Sequence, residues 1–380
     1  MTARSLTATL IGVLFAGSAL ADASTVDGVY QGTLGKQGIV LEIGPIASDT
    51  DDTYDGRYFY RRHAIAIPLK IEALADGKLR LLEYHNGAPT GAEWLVAVAG
   101  DKASGEFCSC DVRNPAALAS SARMAIDLTL VAGTRNQTHE VAYNAQLLDY
   151  PLTGGMEIRV AEGIAYAMQA DPRFKLSLPR LTKFPDASAM ARVNDALAQA
   201  LDARRLEVAD CLFVGEQADG SYWEEEYRVA LLNRDVLSIA GSGSVQCGAA
   251  AHPSEIVDSL IYDMRSGEPV DLAKKPQALF KSAEPPWDAL RKLYVKYARL
   301  SPAIPAECKV GDEAGDVYNQ YNQEFDVSAH IYFDAKGLAI DPSDSVAHVV
   351  AACFPEVVIP YAKVRTFVRP DSPFYRLMTP

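Results

Sequence analysis

The sequence predicts an α+β protein with a β-rich meander first, followed by antiparallel sheet with two or three helices. Three observations predict it: short β-type runs before residue 160, an apolar stripe at helical spacing after residue 184, and hairpin-like runs around residue 240. A meander of this kind closes as a barrel or packs as a sandwich. We expect a signal peptide at residues 1–21, a β-rich domain at 22–160 and an α+β domain at 161–380.

The first half contains runs rich in β-branched and aromatic residues from residue 27 to about residue 111. Polar or glycine-containing turns separate them, such as Gly35-Lys-Gln-Gly38 and Asp76-Gly77. This spacing is typical of antiparallel strands. A weaker continuation of the pattern predicts further strands at Met124–Val131 and Glu140–Leu148.

The second half mixes helical and strand patterns. Apolar residues at Met190, Val193, Leu197 and Leu201 form one helical stripe, and Asp186 stands where an N-cap is expected. The remaining predicted elements are a hairpin of Tyr227–Leu232 with Val236–Val245, a second of Leu260–Met264 with Pro269–Leu272, an amphipathic helix at Pro286–Leu300, strands near Phe325–Phe333, Leu338–Ile340, Val346–Ala352 and Val357–Ile359, and a helix at Tyr361–Val368.

The N-terminus has the pattern of an export signal. Arg4 supplies the positive charge, an apolar stretch follows from Leu10 to Leu20, and Ala19-Leu20-Ala21 is a small-x-small cleavage pattern. The apolar stretch is shorter than the roughly 20 residues that cross a bilayer. We therefore expect a soluble, periplasmic or secreted mature chain without a membrane anchor.

The charge balance is acidic, with a formal net charge of -13 and no basic tract. Nucleic-acid binding depends on Lys and Arg that displace phosphate counterions, so this class of function is excluded. An acidic surface favours a cationic partner through long-range attraction. The alternative is that the charge only keeps an exported protein soluble.

Six cysteines in an exported chain predict disulfides. Their positions favour Cys211–Cys247 and Cys308–Cys353 in the second half. In the first half, their positions favour a bond between Cys108 and Cys110. Residues i and i+2 of a flat strand are nearly 7 Å apart, so this last bond requires a bulge or turn.

One acidic loop resembles the start of a calcium-binding loop. Asp51-Asp-Thr-Tyr-Asp55-Gly56 places oxygen ligands at positions 1, 3 and 5 and glycine at position 6. Position 12 is Arg62 instead of the bidentate Glu, so we expect a solvated loop. We expect no metal and no cofactor.

The candidate site lies around the small-residue stretch Ser242–Pro253, which carries Cys247 and His252. His252 has few bulky neighbours and is a candidate proton donor or partner contact, unless its ring only fixes the loop. Tyr222, Trp223 and Glu225 combine aromatic rings with carboxylates, a combination that binds a cationic protein or a sugar, or forms only an exposed acidic loop. Tyr262, which follows in the next strand-like run, completes the predicted binding residues.

Residues from about 175 to 370 resemble an exported domain of unassigned function. That domain occurs in the lysozyme-sensing anti-sigma factors of Gram-positive bacteria and beside the catalytic module of some peptidoglycan deacetylases. The resemblance implies an α+β fold and, in one branch, lysozyme binding. Its usual Gly-Gly-Ala-His-Gly loop is here Gly248-Ala-Ala-Ala-His252-Pro253. The other matching stretches are Leu178–Arg180, Tyr262-Asp263, Ser266-Gly267, Phe333–Leu338 and Val358–Tyr361.

The first half is similar to the β-rich front half of uncharacterised exported proteobacterial proteins, through Tyr30-x-Gly-x-Leu-Gly35 and Gly56-Arg-Tyr-Phe-Tyr60. We expect an exported, non-catalytic binding protein of the cell envelope, for a cationic protein such as lysozyme or for a peptidoglycan component. The alternative is an envelope glycan or peptide hydrolase that uses His252 with Asp258 or Asp263.

Overall fold

The computed structural model describes most of the chain, and every structural statement below concerns the described residues. These are residues 26–46, 54–110, 122–132, 134, 139–215, 221–248, 250, 252–272, 274–281, 286–302, 304–305, 308, 330–346 and 348–378. The predicted signal peptide and residues 51–53 of the calcium-like loop lie outside them. Within the described part, no helix is both long and apolar enough to span a membrane.

The first half is a closed antiparallel barrel of eight strands. Each strand pairs with the next in the sequence, and Tyr30 lies opposite Leu130 where the first strand meets the last. The barrel alternative of the predicted meander is therefore the correct one, and the predicted fold class is confirmed. The strands are β1 Gly28–Leu34, β2 Gln37–Ile46, β3 Tyr54–Tyr60, β4 Ala66–Ala73, β5 Leu79–His85, β6 Ala88–Ala99, β7 Lys102–Cys108 and β8 Met124–Leu130.

Alternate side chains of the strands fill the barrel. Trp94 is fully buried there and packs edge-on against Tyr58, with ring centroids 4.8 Å apart. Both rings donate hydrogen bonds to Oε1 of the buried Glu83, Tyr58 at 2.6 Å and Trp94 at 3.1 Å. A buried carboxylate needs such donors, since an unpaired one would lose its hydration without replacement.

The outer wall of the barrel packs on a helix, α1 His139–Leu148. Phe59 of the barrel lies edge-on to Tyr143, with ring centroids 5.1 Å apart. The strand predicted at Glu140–Leu148 is therefore wrong. Tyr143 and Leu147 are buried whereas Ala145 between them is exposed, which fits helical spacing and not strand alternation.

Three antiparallel sheets and one long helix form the body of the second half. The first sheet has the order β10-β11-β12, with β9 also on β11, and the second has the order β13-β14-β15-β16. The helix α2, of 29 residues, packs on both. The bounds are β9 Thr153–Gly154, β10 Ile158–Ala161, β11 Ile164–Asp171, β12 Leu176–Lys183, α2 Ala187–Gly215, β13 Tyr222–Leu232, β14 Val236–Gln246, β15 Ser254–Asp263 and β16 Glu268–Pro269.

The start of α2 agrees with the sequence pattern. The Asp186 carboxylate accepts hydrogen bonds from the backbone N–H of Ser188 and Ala189, at 2.8 and 2.9 Å, so it caps the helix as predicted. Along the predicted stripe, Val193, Leu197 and Leu201 are buried. The two predicted hairpins are also present as β13–β14 and β15–β16.

The first six residues of β14 are buried on both faces of the strand and separate two cores. Leu237 and Ile239 face the core that contains α2, whereas Val236 and Ala240 face the core of the C-terminal third. Successive residues of a strand point to opposite faces, so one uninterrupted run serves both cores.

The C-terminal third packs on the other face of β14. The strand predicted at Val346–Ala352 is wrong, because α4 lies there; a short apolar run does not distinguish strand from helix. The strand predicted from Phe325 begins at Ile331, and residues 325–329 lie outside the described part. The elements are α3 Trp287–Ala298, β17 Ile331–Asp334, β18 Gly337–Ile340, α4 His348–Ala351, β19 Val357–Pro360 and α5 Tyr361–Val364.

All three predicted disulfides are present. Cys211 of α2 is bonded to Cys247, with Cα atoms 4.9 Å apart, and Cys308 to Cys353 at 5.4 Å. Cys108 and Cys110 are bonded with Cα atoms 5.3 Å apart, at a bend that follows β7. Such bonds persist in oxidising compartments, so the chain belongs outside the cytoplasm.

Candidate functional site

Three strand ends meet at one end of the central sheet. Tyr222 at the start of β13 pairs with Gln246 at the end of β14, and Ser254 at the start of β15 pairs with Val245. The disulfide from Cys247 fastens this end of the sheet to α2. Backbone pairing and one disulfide therefore hold together the segments around Tyr222 and around Ser242–Pro253 that the sequence indicates as the candidate site.

The first residues of β13 form a strand and not the exposed acidic loop considered from the sequence. Their burial alternates, with Glu225 and Tyr227 buried towards α2 and Glu224 and Glu226 exposed. Strand alternation thus divides the three neighbouring carboxylates between the protein interior and solvent. Trp223 is half-buried, and its indole N–H donates to Glu225 Oε2 at 3.1 Å.

One guanidinium from α2 binds carboxylates of this sheet face and one carboxylate of its own helix. Arg204 contacts Glu225 Oε2 at 3.3 Å, Asp258 Oδ2 at 3.0 Å and Glu207 Oε2 at 2.5 Å. The Tyr227 hydroxyl donates to the same Asp258 oxygen at 2.8 Å. We call these five residues the Arg204 cluster; it contains one cation and three carboxylates.

Glycines in β14 make this arrangement possible. The Tyr227 ring lies across Gly241, where an added Cβ would stand 2.6 Å from its Cε1 atom. Gly241 pairs with Tyr227 on one side and with Asp258 on the other, so the ring reaches over the middle strand. Residues Ser242–Gln246 therefore continue strand β14. The glycine at position 241 lets the Tyr227 ring approach the backbone closely and does not serve loop flexibility.

The environment of Glu225 is unusual for a carboxylate. Its side chain is fully buried, and Oε1 has no hydrogen-bond partner among the described residues. Burial raises the pKa of Glu225 above its ordinary value, although the charge of Arg204 acts in the opposite direction. A buried acceptor of this kind is free to receive one further hydrogen bond.

Two adjoining clefts border the start of β13. One of about 510 Å³ lies between β13, α2 and the turn at Arg173–Lys175, and the other, of about 440 Å³, lies between β13 and β12. Lys175, Glu225 and Glu226 line both. We refer to the two together as the β13 cleft. Tyr222 and Trp223 line its larger part, so three of the predicted binding residues lie in one place.

The structure does not bring Tyr262 to this cleft. Tyr262 pairs with Leu237, far along β14 from Gln246, and is buried. Burial raises its pKa to about 12, so it stays protonated at neutral pH. With Asp258 and His330 it lines a separate cleft of about 450 Å³, in which His330 Nε2 lies 2.6 Å from Asp344 Oδ2.

His252 lies in the connection between β14 and β15 and is exposed. Its Nδ1 lies 3.1 Å from the carbonyl oxygen of Pro253. His252 is not one of the described residues that line the three clefts above. The acids considered as its partners have other contacts, Asp258 with Arg204 and Asp263 with Arg265.

The sequence pattern does not single out Arg204 or Tyr227, and it indicates Asp258 only as an alternative partner of His252. Arg204 lies 23 positions from Tyr227 and 54 from Asp258, so only the fold brings them together. The available signal was Gly241 inside a predicted strand, because an interior glycine often marks a close approach. Among the described residues, no group of three or more His, Cys, Asp or Glu could hold a metal ion.

An eight-stranded barrel followed by antiparallel sheets and a long helix thus defines a β-rich α+β protein with a polar cleft at the edge of its central sheet. No family model matches the sequence, and no curated protein matches it. Two solved structures of the DUF3298 family are similar to it, and neither is described by a function. The first, from Bacteroides fragilis, is 14% identical with a TM-score of 0.35, and the similarity covers 61% of this chain and 96% of that one.

The second, from Pseudomonas aeruginosa, is 15% identical with a TM-score of 0.35, over 61% of this chain and 99% of that one. A likeness at this TM-score carries no argument about the site.

Proposed function

We propose that the protein is an exported, non-catalytic binding protein of the cell envelope, and that its ligand is a cationic protein of the lysozyme kind. The β13 cleft is the binding site. The resemblance of residues 175–370 to the domain of lysozyme-sensing anti-sigma factors favours the same ligand class. A peptidoglycan component is the other ligand that the sequence favours, and the experiment below distinguishes the two.

The acid excess at the cleft is the observation that carries the proposal. Glu224 and Glu226 are exposed and form no ion pair with any described residue. Arg173 and Arg228 also line the cleft, but their charges are matched by Asp171 and Glu356. Lys175 is then the remaining lining cation, and the Arg204 cluster behind the cleft adds two more negative charges than positive ones.

Such a local field attracts a basic surface and orients it before contact. The net charge of -13 extends the attraction beyond the cleft itself. An ammonium or guanidinium group placed between Glu224 and Glu226 would form charge-assisted hydrogen bonds with both carboxylates.

The aromatic rings of the cleft are held in place. The Trp223 ring is fixed by its hydrogen bond to Glu225 and by the Arg204 guanidinium 5.7 Å from the ring centroid. The Tyr222 hydroxyl is 3.0 Å from Ser244 Oγ of the neighbouring strand. A surface that is ordered before binding loses less conformational entropy when the ligand arrives.

The export part of the proposal is supported by independent features. The sequence begins with a predicted signal peptide, and all three predicted disulfides are bonded. Lysozyme and peptidoglycan are both encountered in the compartment that such a chain would enter. An expression test with the full-length chain should therefore find the protein in the periplasm or the medium.

The binding test uses the mature chain immobilised on a surface. Lysozyme, an acidic protein of similar size and purified peptidoglycan are passed over it at low salt. We expect lysozyme to bind and the acidic protein not to bind. The affinity for lysozyme should fall as salt rises to roughly 0.5 M, because salt at that concentration limits the attraction between exposed charges to a few ångströms. Binding of peptidoglycan alone, or a lysozyme affinity that salt leaves unchanged, would overturn the proposal.

Variants locate the site. Glu224→Gln combined with Glu226→Gln removes the two exposed charges of the cleft and should weaken both the affinity and its salt dependence. The matched control is Asp195→Asn with Glu268→Gln, which removes two exposed charges that do not line the cleft. If both double variants lose the same affinity, attraction is a property of the net charge and the cleft is not the site.

A further inference from the structure

Exposed apolar side chains are concentrated on one arm of the first sheet. Of the six large apolar residues exposed in the described part, three lie within five positions: Met156 at 89%, Ile158 at 45% and Val160 at 45%. Scattered exposed apolar residues are ordinary, but a contiguous group on an ordered element marks an interaction surface.

No element in the described part of the chain buries these residues. All four residues of β10 are exposed, and β10 pairs with β11 alone among the described strands. The helix α2 packs on β12, which is at the edge of this sheet opposite to β10. An apolar edge strand of this kind is an association hazard that proteins usually suppress, so its retention calls for a partner.

The arm continues into the β13 cleft. Ile158 lies directly opposite Tyr166 of β11, so the two side chains share a face of the sheet. Met168 is two residues further along β11 and lies on that same face. Tyr166 and Met168 also line the part of the cleft that contains Glu226. Met156, Ile158, Tyr166 and Met168 are named the apolar shelf.

We propose that the apolar shelf is the second half of the ligand surface and takes the nonpolar side chains of a cationic protein whose basic residues enter the β13 cleft. This inference rests on the proposed function and adds the chemistry of the partner. The partner is a folded or extended protein with Lys or Arg beside a nonpolar patch. Its basic groups meet Glu224 and Glu226, while its nonpolar groups cover Ile158 and Met156.

The two halves have different physical signatures, and this makes the inference testable. Contacts on the shelf exclude water and contribute affinity that salt does not weaken. Contacts in the cleft contribute affinity that falls with salt. A basic ligand without a nonpolar patch, such as a short polylysine, would use the cleft alone.

The test compares four forms of the chain for lysozyme binding: the wild type, the shelf variant Met156→Ser with Ile158→Ser, the cleft variant Glu224→Gln with Glu226→Gln, and a control. The control, Val141→Ser with Leu300→Ser, removes two apolar side chains that are 74% and 72% exposed elsewhere on the surface. Because every substituted residue is exposed, folding should be unchanged, and a thermal unfolding curve for each variant checks this.

We expect the shelf variant to bind lysozyme roughly tenfold more weakly, as for loss of one well-packed contact, with an unchanged salt slope. Its affinity for polylysine should equal that of the wild type. The cleft variant should have a smaller salt dependence than the wild type with both ligands, and the control should bind like the wild type.

Two outcomes would overturn the inference while leaving the proposed function in place. One is a shelf variant that binds lysozyme as the wild type does. The other is a wild type that self-associates through the shelf, shown by sedimentation, with a shelf variant that becomes monomeric and keeps its lysozyme affinity. A wild type that binds no cationic protein removes the proposed function itself.

Discussion

Arg204 Nη2 lies 3.0 Å from Asp258 Oδ2, and this ion pair joins the long helix α2 to β15 across the face of the central sheet. The same guanidinium contacts the fully buried Glu225. One side chain of the helix thus binds carboxylates from two non-adjacent strands. Together with the Cys211–Cys247 disulfide, this cation holds α2 against the face of the sheet behind the cleft.

Arg204→Met should therefore destabilise the protein strongly. Removal of one partner from a buried ion pair leaves uncompensated charge, and the expected loss is about 3 kcal/mol in the free energy of unfolding. Urea denaturation followed by circular dichroism measures it. Glu207→Gln is the control, because Glu207 is largely exposed and its pairing contributes less than about 1 kcal/mol. Equal losses for the two variants would contradict this account.

Gly241 should not tolerate a side chain. In Gly241→Ala the new Cβ would stand 2.6 Å from Tyr227 Cε1, so the ring must move and its hydrogen bond to Asp258 must break. We expect a loss of roughly 1–3 kcal/mol, the usual cost of overpacking. The double variant with Tyr227→Ala should relieve the clash, so the two losses should be less than additive. Strict additivity in denaturation experiments would show that the ring does not set the glycine requirement.

The two halves of the molecule contain disulfides that should differ in their contribution to stability. Loss of Cys211–Cys247 by double Cys→Ser substitution opens a loop of 36 residues and should cost about 3–4 kcal/mol. It should also weaken lysozyme binding, because that bond fastens the sheet end that forms the cleft to α2. The matched double substitution at Cys108 and Cys110 opens a loop with a sequence separation of only 2, so its cost should be much smaller. Thermal unfolding of the two variants should therefore differ clearly.

Much of the fold follows from local patterns. The barrel strands, the N-cap at Asp186 and the buried stripe of α2 repeat at the spacing of their own element, so the sequence predicts them. The errors at Glu140–Leu148 and Val346–Ala352 concern short runs that mix strand-favouring residues such as Val with helix-favouring Ala, so local preference does not decide between the two structures. Tertiary packing decides such segments, as where Tyr143 and Leu147 pack on the barrel.

The candidate site was predictable only in part. Tyr222, Trp223 and Glu225 are neighbours in sequence, and their aromatic and acidic character was sufficient to select them. Arg204 carries no local signal, and Asp258 was considered only beside His252, because their pairing depends on the sheet register that places Tyr227 over Gly241. Tyr262 was predicted to belong to the same site because it follows His252 in the chain. Its pairing with Leu237 places it instead in the core, away from the end of the sheet where Tyr222 lies.

Asp171 should make the stability of the junction between barrel and second half depend on pH. Its buried carboxylate contacts Arg173 Nη2 at 2.7 Å and Arg205 Nε at 2.8 Å. Those guanidiniums in turn donate to the carbonyl oxygens of Leu147 and Leu148 at the end of α1. Burial alone would raise the pKa of Asp171, but the two guanidiniums outweigh it, and its pKa is lowered.

A carboxylate whose pKa is lower in the folded than in the unfolded chain stabilises the fold at every pH above the unfolded value of about 3.9. That contribution disappears as pH falls below this value towards the folded pKa. Asp171→Asn should therefore be less stable than the wild type by about 3 kcal/mol at pH 7, since two buried guanidiniums lose their counter-charge. The difference between wild type and variant should shrink steadily below about pH 4.

Urea denaturation of both proteins across the acid range measures this difference, and taking the difference cancels the titration of all other groups. Asp195→Asn, at an exposed position of α2, should remain parallel to the wild type throughout. A gap between wild type and Asp171→Asn that stays constant into the acid range would mean that Asp171 is protonated alike in folded and unfolded chains. The two guanidiniums would then hold α1 through hydrogen bonds alone, without the charge of Asp171.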